Sequence, residues 1–224
     1  MKRIFWSIVL MVAAVVSASA VELKSEGRDA EYVQTILGRS QKIVDKLDIA
    51  TAEAREAVLH IIANRYFELN DIYAERDERL AAVKEQGLTG EAKQQAQEFA
   101  KAACESKLYR SHFAFPAALS LYLTDEQIVA VKDGMTFGVV KVTYDSHLDM
   151  IPSLTDEEKA QIRVWLEEAR ELAIDAESSR KKHEIFGRYK GRINNYLSKR
   201  GYDLTAEREA WYKRIEERKK NEQK

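Results

Sequence analysis

Residues 51 to 86 contain neither proline nor glycine, and their apolar residues recur every three or four positions. Thr51 precedes the run as a helix N-cap, and Gly87 follows it. The apolar positions are Val58, Ile61, Ile62, Tyr66, Leu69, Ile72, Tyr73, Leu80 and Val83. This pattern predicts one long helix. It needs a partner helix, because burying each large apolar side chain contributes about 1.5–3 kcal/mol and an isolated helix cannot keep such a face dry.

The rest of the chain repeats this helical period. Further helices are predicted from Tyr32 to Leu47, from Glu91 to a stop or kink at Pro116, from Val140 to Ile151, from Thr155, from Ser179 to Arg200 and from Thr205. Two prolines and a 33% share of charged residues agree with helices. We therefore predict an all-α fold, a single-domain bundle of seven or eight helices over residues 21 to 224, with the Thr51 and Thr155 helices as its central pair.

Residues 123 to 138 carry the densest set of local helix signals. Thr124 and Gln127 have the spacing of a capping box, and Gly134 is placed where a left-handed C-cap would end the helix. Thr136 then starts the next helix in this interpretation. Thr155 and Glu158 predict a second capping box.

The phrase Leu-Thr-x-Glu begins at Leu88, Leu123, Leu154 and Leu204. It is similar to the Leu-Thr-x-x-Gln motif of the periplasmic stress chaperones of the Spy and CpxP type, which implies an alternative function as a holdase-like chaperone. Helix capping explains the phrase without shared ancestry, because threonine followed by acids suits any helix start.

A family resemblance spans most of the chain. It rests on the central run, on Val139 to Tyr144, on Trp165, on Lys182-His183 and on Tyr189 to Leu197. Together these residues resemble the secreted domain-of-unknown-function 3826 (DUF3826) family of glycan-degrading Gram-negative bacteria. The resemblance implies a role in polysaccharide utilisation and carries no catalytic residues with it.

The first twenty residues predict export. Lys2-Arg3, an apolar stretch from Ile4 to Val16 and the site Ala18-Ser19-Ala20 have the order of a signal peptide, with cleavage after Ala20. The alternative, an N-terminal anchor helix, fits less well because the apolar stretch is too short to span a bilayer. The only cysteine is Cys104, so a lipoprotein and an internal disulfide are both excluded. We expect a periplasmic or secreted protein with no membrane insertion after cleavage.

Removing Lys2 and Arg3 leaves 34 basic and 37 acidic side chains, a net charge of −3. This balance argues against nucleic acid as a partner. The charge is uneven, however, because residues 179 to 200 contain eight basic side chains and the single acid Glu184. An anionic glycan or a protein partner is the expected ligand of this segment.

Two glycines lie within the basic segment on one helix face. Gly187 and Gly191 each cost about 1 kcal/mol relative to alanine inside a helix, which suggests that something approaches them closely. Another helix or a ligand would satisfy this requirement. The predicted ligand-binding residues are Lys132, Thr136, Gly187, Arg188, Gly191, Arg192, Asn194 and Asn195.

An enzyme is the alternative to a binding protein. The candidates for acid, base or orienting group are Asp133, Tyr144, His147 and His183, with the first three expected to share a cleft. Asp145, His147 and Asp149 do not predict a metal site, because a helix turns the histidine away from the two acids. No motif for a metal, a nucleotide or another cofactor is present. The first hypothesis is thus a non-catalytic binding or accessory protein for polysaccharide utilisation.

Overall fold

The computed structural model describes residues 21 to 222, which form eight helices and no strand. The helices are α1 (Ala30–Val44), α2 (Ala52–Glu85), α3 (Gly90–Leu119), α4 (Asp125–Met135), α5 (Val139–Met150), α6 (Asp156–Ala173), α7 (Ser179–Lys199) and α8 (Leu204–Glu222). The predicted all-α bundle is confirmed. The predicted signal peptide, residues 1 to 20, lies outside the described residues. None of the described helices is long and apolar enough to cross a membrane.

The helices bury their apolar stripes in two main clusters. One cluster contains residues from the end of α1 and from α2, α3 and α4, and it surrounds Ile62, Leu119 and Met135. The other joins α5, α6 and α7 around Ile162, Leu166 and Phe186. The predicted pairing of the Thr51 helix with the Thr155 helix is wrong, because α2 packs along α3 and α6 packs along α7. The long apolar stripe of α2 indicates that the helix needs a partner, but it does not identify which helix packs against it.

The helix starts follow the predicted cap chemistry. The Thr51 hydroxyl accepts from the Ala54 N–H, and both predicted capping boxes are present at Thr124 and Thr155. Thr89 is the N-cap of α3. The fourth copy of Leu-Thr-x-Glu, at Leu204, starts inside α8, and Asp203 accepts from the first-turn N–H groups of that helix. Three of the four copies of Leu-Thr-x-Glu therefore coincide with helix caps.

The break between α4 and α5 differs from the prediction. Gly134 lies within α4, and the left-handed residues are Phe137 and Gly138, with φ of 62° and 65°. A Cβ on Gly134 would lie 3.0 Å from the Ile43 side chain, so this glycine serves the close approach of α1 to α4. Thr136 ends α4 and does not start α5, and its hydroxyl donates to the Lys132 carbonyl at 2.8 Å.

Two further predictions concern α3 and α5. Pro116 does not end α3, which continues to Leu119 with Pro116 in its last turn. The valine-rich segment is helical as predicted, with Val140, Thr143 and His147 buried. Asp149 at the end of α5 accepts from Trp211 Nε1 at 2.7 Å and pairs with Arg218 at 2.6 Å, which fastens α8 to α5.

Candidate functional site

A polar network lies where the loop between α6 and α7 meets α2 and α3. Its centre is Arg65, which is only 2% exposed. The guanidinium donates to Glu68 at 2.6 Å, to Ser111 at 2.8 Å and to Asp175 at 2.6 Å. Tyr73 of α2 donates to the Asp175 carbonyl at 2.7 Å, and burial raises the pKa of Tyr73 to about 12. These bonds fix the loop, and with it the Asp175 carboxylate.

The other oxygen of Asp175 orients a histidine. His112 Nδ1 lies 2.7 Å from Asp175 Oδ2. Burial alone would raise the pKa of Asp175, but His112 and Arg65 outweigh it and the pKa is lowered. The carboxylate is thus ionised at neutral pH, so Nδ1 of His112 is the donor. In the tautomer that carries its proton on Nδ1, Nε2 of His112 can accept a hydrogen bond.

Glu171 continues the network from α6. Glu171 Oε2 lies 3.8 Å from His112 Nε2 and accepts from Lys132 Nζ at 2.6 Å. Beside it Arg170, which is 5% exposed, donates to Asp133 at 3.1 Å. Lys132 and Asp133 of α4 are therefore both tied to α6 by ion pairs.

A cavity of about 590 Å³ opens beside this network, between α3 and the α6–α7 region. We call it the His112 cavity. His112, Asp175 and Glu171 form part of its lining, and their side chains are 14–33% exposed. Its volume lies in the range of small-ligand sites.

The lining of the His112 cavity includes unusually exposed aromatic rings. Tyr109 is 69% and Phe113 59% exposed, one turn apart on α3. Their ring centroids are 5.4 Å apart at an interplanar angle of 84°, and Phe113 makes a similar edge contact with His112 at 5.1 Å. Leu172 on the facing helix is 52% exposed. These side chains form an apolar rim around a polar floor.

Most charges that line the His112 cavity already have partners. Arg76 pairs with Glu177 at 2.5 Å, and Lys181 pairs with Glu184 at 2.9 Å. Among the described residues, Arg188 is the lining cation without a carboxylate partner. Among the same described residues, Glu105 is the lining acid that forms no ion pair, so the cavity presents one uncommitted guanidinium and one uncommitted carboxylate.

The comparisons with known proteins place the chain in a family. Residues 33 to 217 match the sequence model of DUF3826, described as a protein of unknown function. The chain belongs to the DUF3826 family. A search of curated proteins found no significant match. The matched range contains every residue that lines the His112 cavity in this DUF3826 chain.

The predicted ligand-binding residues of the DUF3826 chain fall in separate places. Arg188 lines the His112 cavity, whereas Lys132 is committed to Glu171 behind it and Thr136 is fully buried. Of the two alternatives for the α7 glycines, a close helix or a ligand, the close helix is wrong, because a Cβ on Gly187 or Gly191 would have no neighbour within 4 Å. That face of α7 is open.

The remaining predicted residues lie further along α7. Arg192 lies over the Trp165 ring at 4.5 Å and donates to Glu168 at 3.3 Å. Asn194 is half-buried and hydrogen-bonds to His147, while Asn195 is exposed. None of these three lines the His112 cavity. The sequence pattern placed them on one face of α7, but the cavity begins nearer the N-terminal end of that helix.

The four predicted catalytic residues have different surroundings. Asp133 pairs with Arg170, and Tyr144 lies beneath Arg163, whose guanidinium is 5.6 Å from the ring centroid. His147 is buried with Nδ1 2.7 Å from the Thr143 carbonyl, and burial lowers its pKa.

His183 is exposed and stacks on Phe137 at 5.4 Å. None of the four residues lines the His112 cavity, so the expected common cleft does not form there. Residues 21 to 222 also contain no group of three or more His, Cys, Asp and Glu side chains that could hold a metal ion.

Sequence reasoning missed His112, Asp175 and Glu171. His112 and Asp175 are 63 positions apart, and neither lies in a motif. A weak signal was available in residues 109 to 113, where two aromatic side chains and a histidine fall on one side of a helix. The periodicity showed that the segment is helical but not that its aromatic residues remain exposed.

Proposed function

We propose that this DUF3826 chain is an exported saccharide-binding protein that serves polysaccharide utilisation in glycan-degrading Gram-negative bacteria. Its ligand in this proposal is an acidic sugar chain, held in the His112 cavity. The observation that carries the proposal is the exposed pair Tyr109 and Phe113 at the edge of a cavity with an uncommitted arginine, Arg188. The signal peptide predicted from residues 1 to 20 supports export.

The aromatic pair suits a sugar better than it suits solvent. An aromatic face is negative, and the C–H bonds on one side of a pyranose ring are weakly positive, so the two surfaces attract. Leaving two large rings 69% and 59% exposed gains nothing for folding. Their exposure is therefore consistent with a ligand that covers them.

Arg188 gives the proposal its preference for acidic sugars. A guanidinium binds a carboxylate through two parallel hydrogen bonds, which a uronic acid can accept. The neighbouring acid Glu184 is already paired with Arg180 and Lys181 and does not neutralise Arg188. The polar floor, with His112 and Glu171, offers hydrogen-bond partners to sugar hydroxyls.

Binding to immobilised polygalacturonate at low salt tests this proposal. Phe113→Ala and Arg188→Ala should each weaken retention by about tenfold, because each removes one of the two contacts, worth ~1.4 kcal/mol. Phe99→Ala is the matched aromatic control, since Phe99 is also 69% exposed on α3 but lies outside the cavity. Arg192→Ala is the matched arginine control on α7.

Equal retention of all four variants and the unmodified protein would contradict the proposal. A protein partner or a holdase activity would produce a different pattern. In the holdase case Phe113→Ala would reduce the suppression of client aggregation, while Arg188→Ala and the acidic polysaccharide would have little effect.

A second candidate function, a glycan-active enzyme, is favoured by the His112–Asp175 pair. An ionised carboxylate on Nδ1 and an available Nε2 at a cavity are the arrangement of a general base. In that reading His112 would take a proton from a water or a sugar carbon, and Glu171 at 3.8 Å would be the second acid–base group. This assignment replaces Asp133, Tyr144 and His147 as the residues to test.

Product release from a panel of plant polysaccharides separates the two candidates. The enzyme hypothesis expects release that is lost in His112→Ala, with His60→Ala as the control. His60 is part-buried, and its Nδ1 lies 2.6 Å from the Val21 carbonyl, away from the cavity. The binding hypothesis expects retention without release and no change in the polysaccharide.

A further inference from the structure

A second and larger cavity, of about 920 Å³, lies between α1, α2, α4 and the start of α7. We call it the basic cavity, because Arg39, Lys42, Lys46 and Lys182 line it. Ala176 and Glu177 line both this cavity and the His112 cavity, so the α6–α7 loop separates the two. Tyr109, Phe113 and Arg188 do not line the basic cavity.

The charges of the basic cavity are unbalanced. Among the described residues none of its four cations forms an ion pair with a carboxylate. The two acids in its lining are neutralised by cations outside it. Asp133 pairs with Arg170 at 3.1 Å, and Glu177 pairs with Arg76 at 2.5 Å. The cavity thus carries an excess of four positive charges.

Lys182 is the most informative of the four. It is 5% exposed, and its ammonium group donates to the Met135 carbonyl at 3.1 Å and to the Ile174 carbonyl at 3.2 Å. An ammonium has three donors, so one remains. Burying a charge is costly, and burial lowers the pKa of Lys182 to about 8 although the carboxylate of Asp175 acts in the opposite direction. An anion in the cavity would offset that cost.

Folding alone explains only part of this cluster. Lys42 lies in the last turn of α1 and Lys46 just beyond its end, where positive charge interacts favourably with the helix dipole. That effect does not account for Arg39, one turn earlier, or for Lys182, which lies in the first turn of α7. A helix start favours negative charge, and Ser178 and Ser179 at the start of α7 also line the cavity.

We propose that the basic cavity binds a small organic anion with at least two negative charges, carried by phosphate or carboxylate groups. Its volume accommodates a ligand the size of one or two sugar rings. Lys182 contacts one anionic group at the inner end of the site, and Arg39, Lys42 and Lys46 surround the rest of the ligand. The inference does not depend on the proposed function of the His112 cavity, which uses other residues.

Titration calorimetry with the whole mature chain tests this site. The probes are inorganic phosphate, glucose 6-phosphate and a dimer of galacturonic acid, with glucose as the uncharged control. We expect binding of at least one anion, weakened tenfold or more by Arg39→Gln and by Lys182→Met, and weakened also by added salt. A preference for the phosphate probes or for the uronate identifies the anionic group.

The variants separate this site from the other one. The galacturonic acid dimer is also a ligand that the proposed function assigns to the His112 cavity, so its binding counts for the basic cavity only where Arg39→Gln or Lys182→Met weakens it. Lys199→Gln, which removes an exposed cation from α7, should leave binding of all the probes unchanged. Arg39 is exposed, so Arg39→Gln should fold normally even if Lys182→Met changes stability. No binding of any probe at millimolar concentration, or binding that neither variant weakens, would overturn the inference.

Discussion

Replacing Gly134 by alanine should destabilise the protein, although the same change usually stabilises a helix. Gly134 lies inside α4, where alanine is favoured by about 1 kcal/mol. The new Cβ would lie 3.0 Å from both Cγ1 and Cγ2 of Ile43, a side chain that is 6% exposed and packed in the first apolar cluster. Overpacking of this kind costs about 1–3 kcal/mol. We expect a net loss of about 1 kcal/mol in the free energy of unfolding.

Gly187→Ala and Gly191→Ala are the matched controls. Both positions are inside α7, and a Cβ at either would have open space around it. Each change should raise the free energy of unfolding by about 0.5–1 kcal/mol. Urea unfolding of the three variants measures the difference, which should approach 2 kcal/mol between Gly134→Ala and Gly187→Ala.

A double-mutant cycle identifies the cause. In an Ile43→Ala background the crowding atoms are gone, so Gly134→Ala should become neutral or stabilising. The reasoning fails if Gly134→Ala stabilises the unmodified protein as much as Gly187→Ala does. It also fails if the cost of Gly134→Ala persists without the Ile43 side chain.

Two further predictions concern buried charges. Glu158→Ala should cost about 3 kcal/mol in urea unfolding at pH 7, because the carboxylate accepts from Thr155 N at 2.9 Å, Tyr202 at 2.7 Å and Arg200 at 2.7 Å. Glu157→Ala, at a side chain 76% exposed, should cost less than about 0.5 kcal/mol. The pKa of Lys182 is about 8 in the folded protein and 10.5 for an ordinary lysine. Between these two pH values the unfolded chain binds more protons than the folded chain, so the free energy of unfolding rises with pH, by up to about 3 kcal/mol. Urea unfolding from pH 7 to 9.5 should show this rise, and a Lys182→Met variant with the same pH slope would contradict it.

The features that the sequence predicts correctly depend on residues close together in the chain. Thr124 with Gln127 and Thr155 with Glu158 form capping boxes, because each box depends on four consecutive residues. The helix predicted from Val140 to Ile151 is confirmed as α5 for a similar reason, since its apolar stripe spans three turns. The helix stop predicted at Pro116 is wrong because a proline in the last turn of α3 leaves most of the helix hydrogen bonds intact.

Gly134 and Gly187 show that the sequence does not predict which helices pack closely against each other. The sequence predicts a turn at Gly134 and a close contact at Gly187, whereas in the structure Gly134 has the close contact and Gly187 has open space around it. The spacing of residues along one helix does not reveal which other helix crosses it. The contact between His112 and Asp175 is unpredictable for the same reason, because its 2.7 Å distance depends on how α3 packs against the α6–α7 loop.

Arg65 has a consequence for how the sequence can vary. Its side chain is 1% exposed, and it holds groups from α2, α3 and the α6–α7 loop at once. Lysine cannot replace it, because a single ammonium cannot reach Glu68, Ser111 and Asp175 in a planar fork. An apolar replacement would leave Asp175 charged and without its partner. Substitutions of Arg65 should therefore be tolerated less than substitutions at many of the apolar core positions, where one hydrocarbon side chain can replace another.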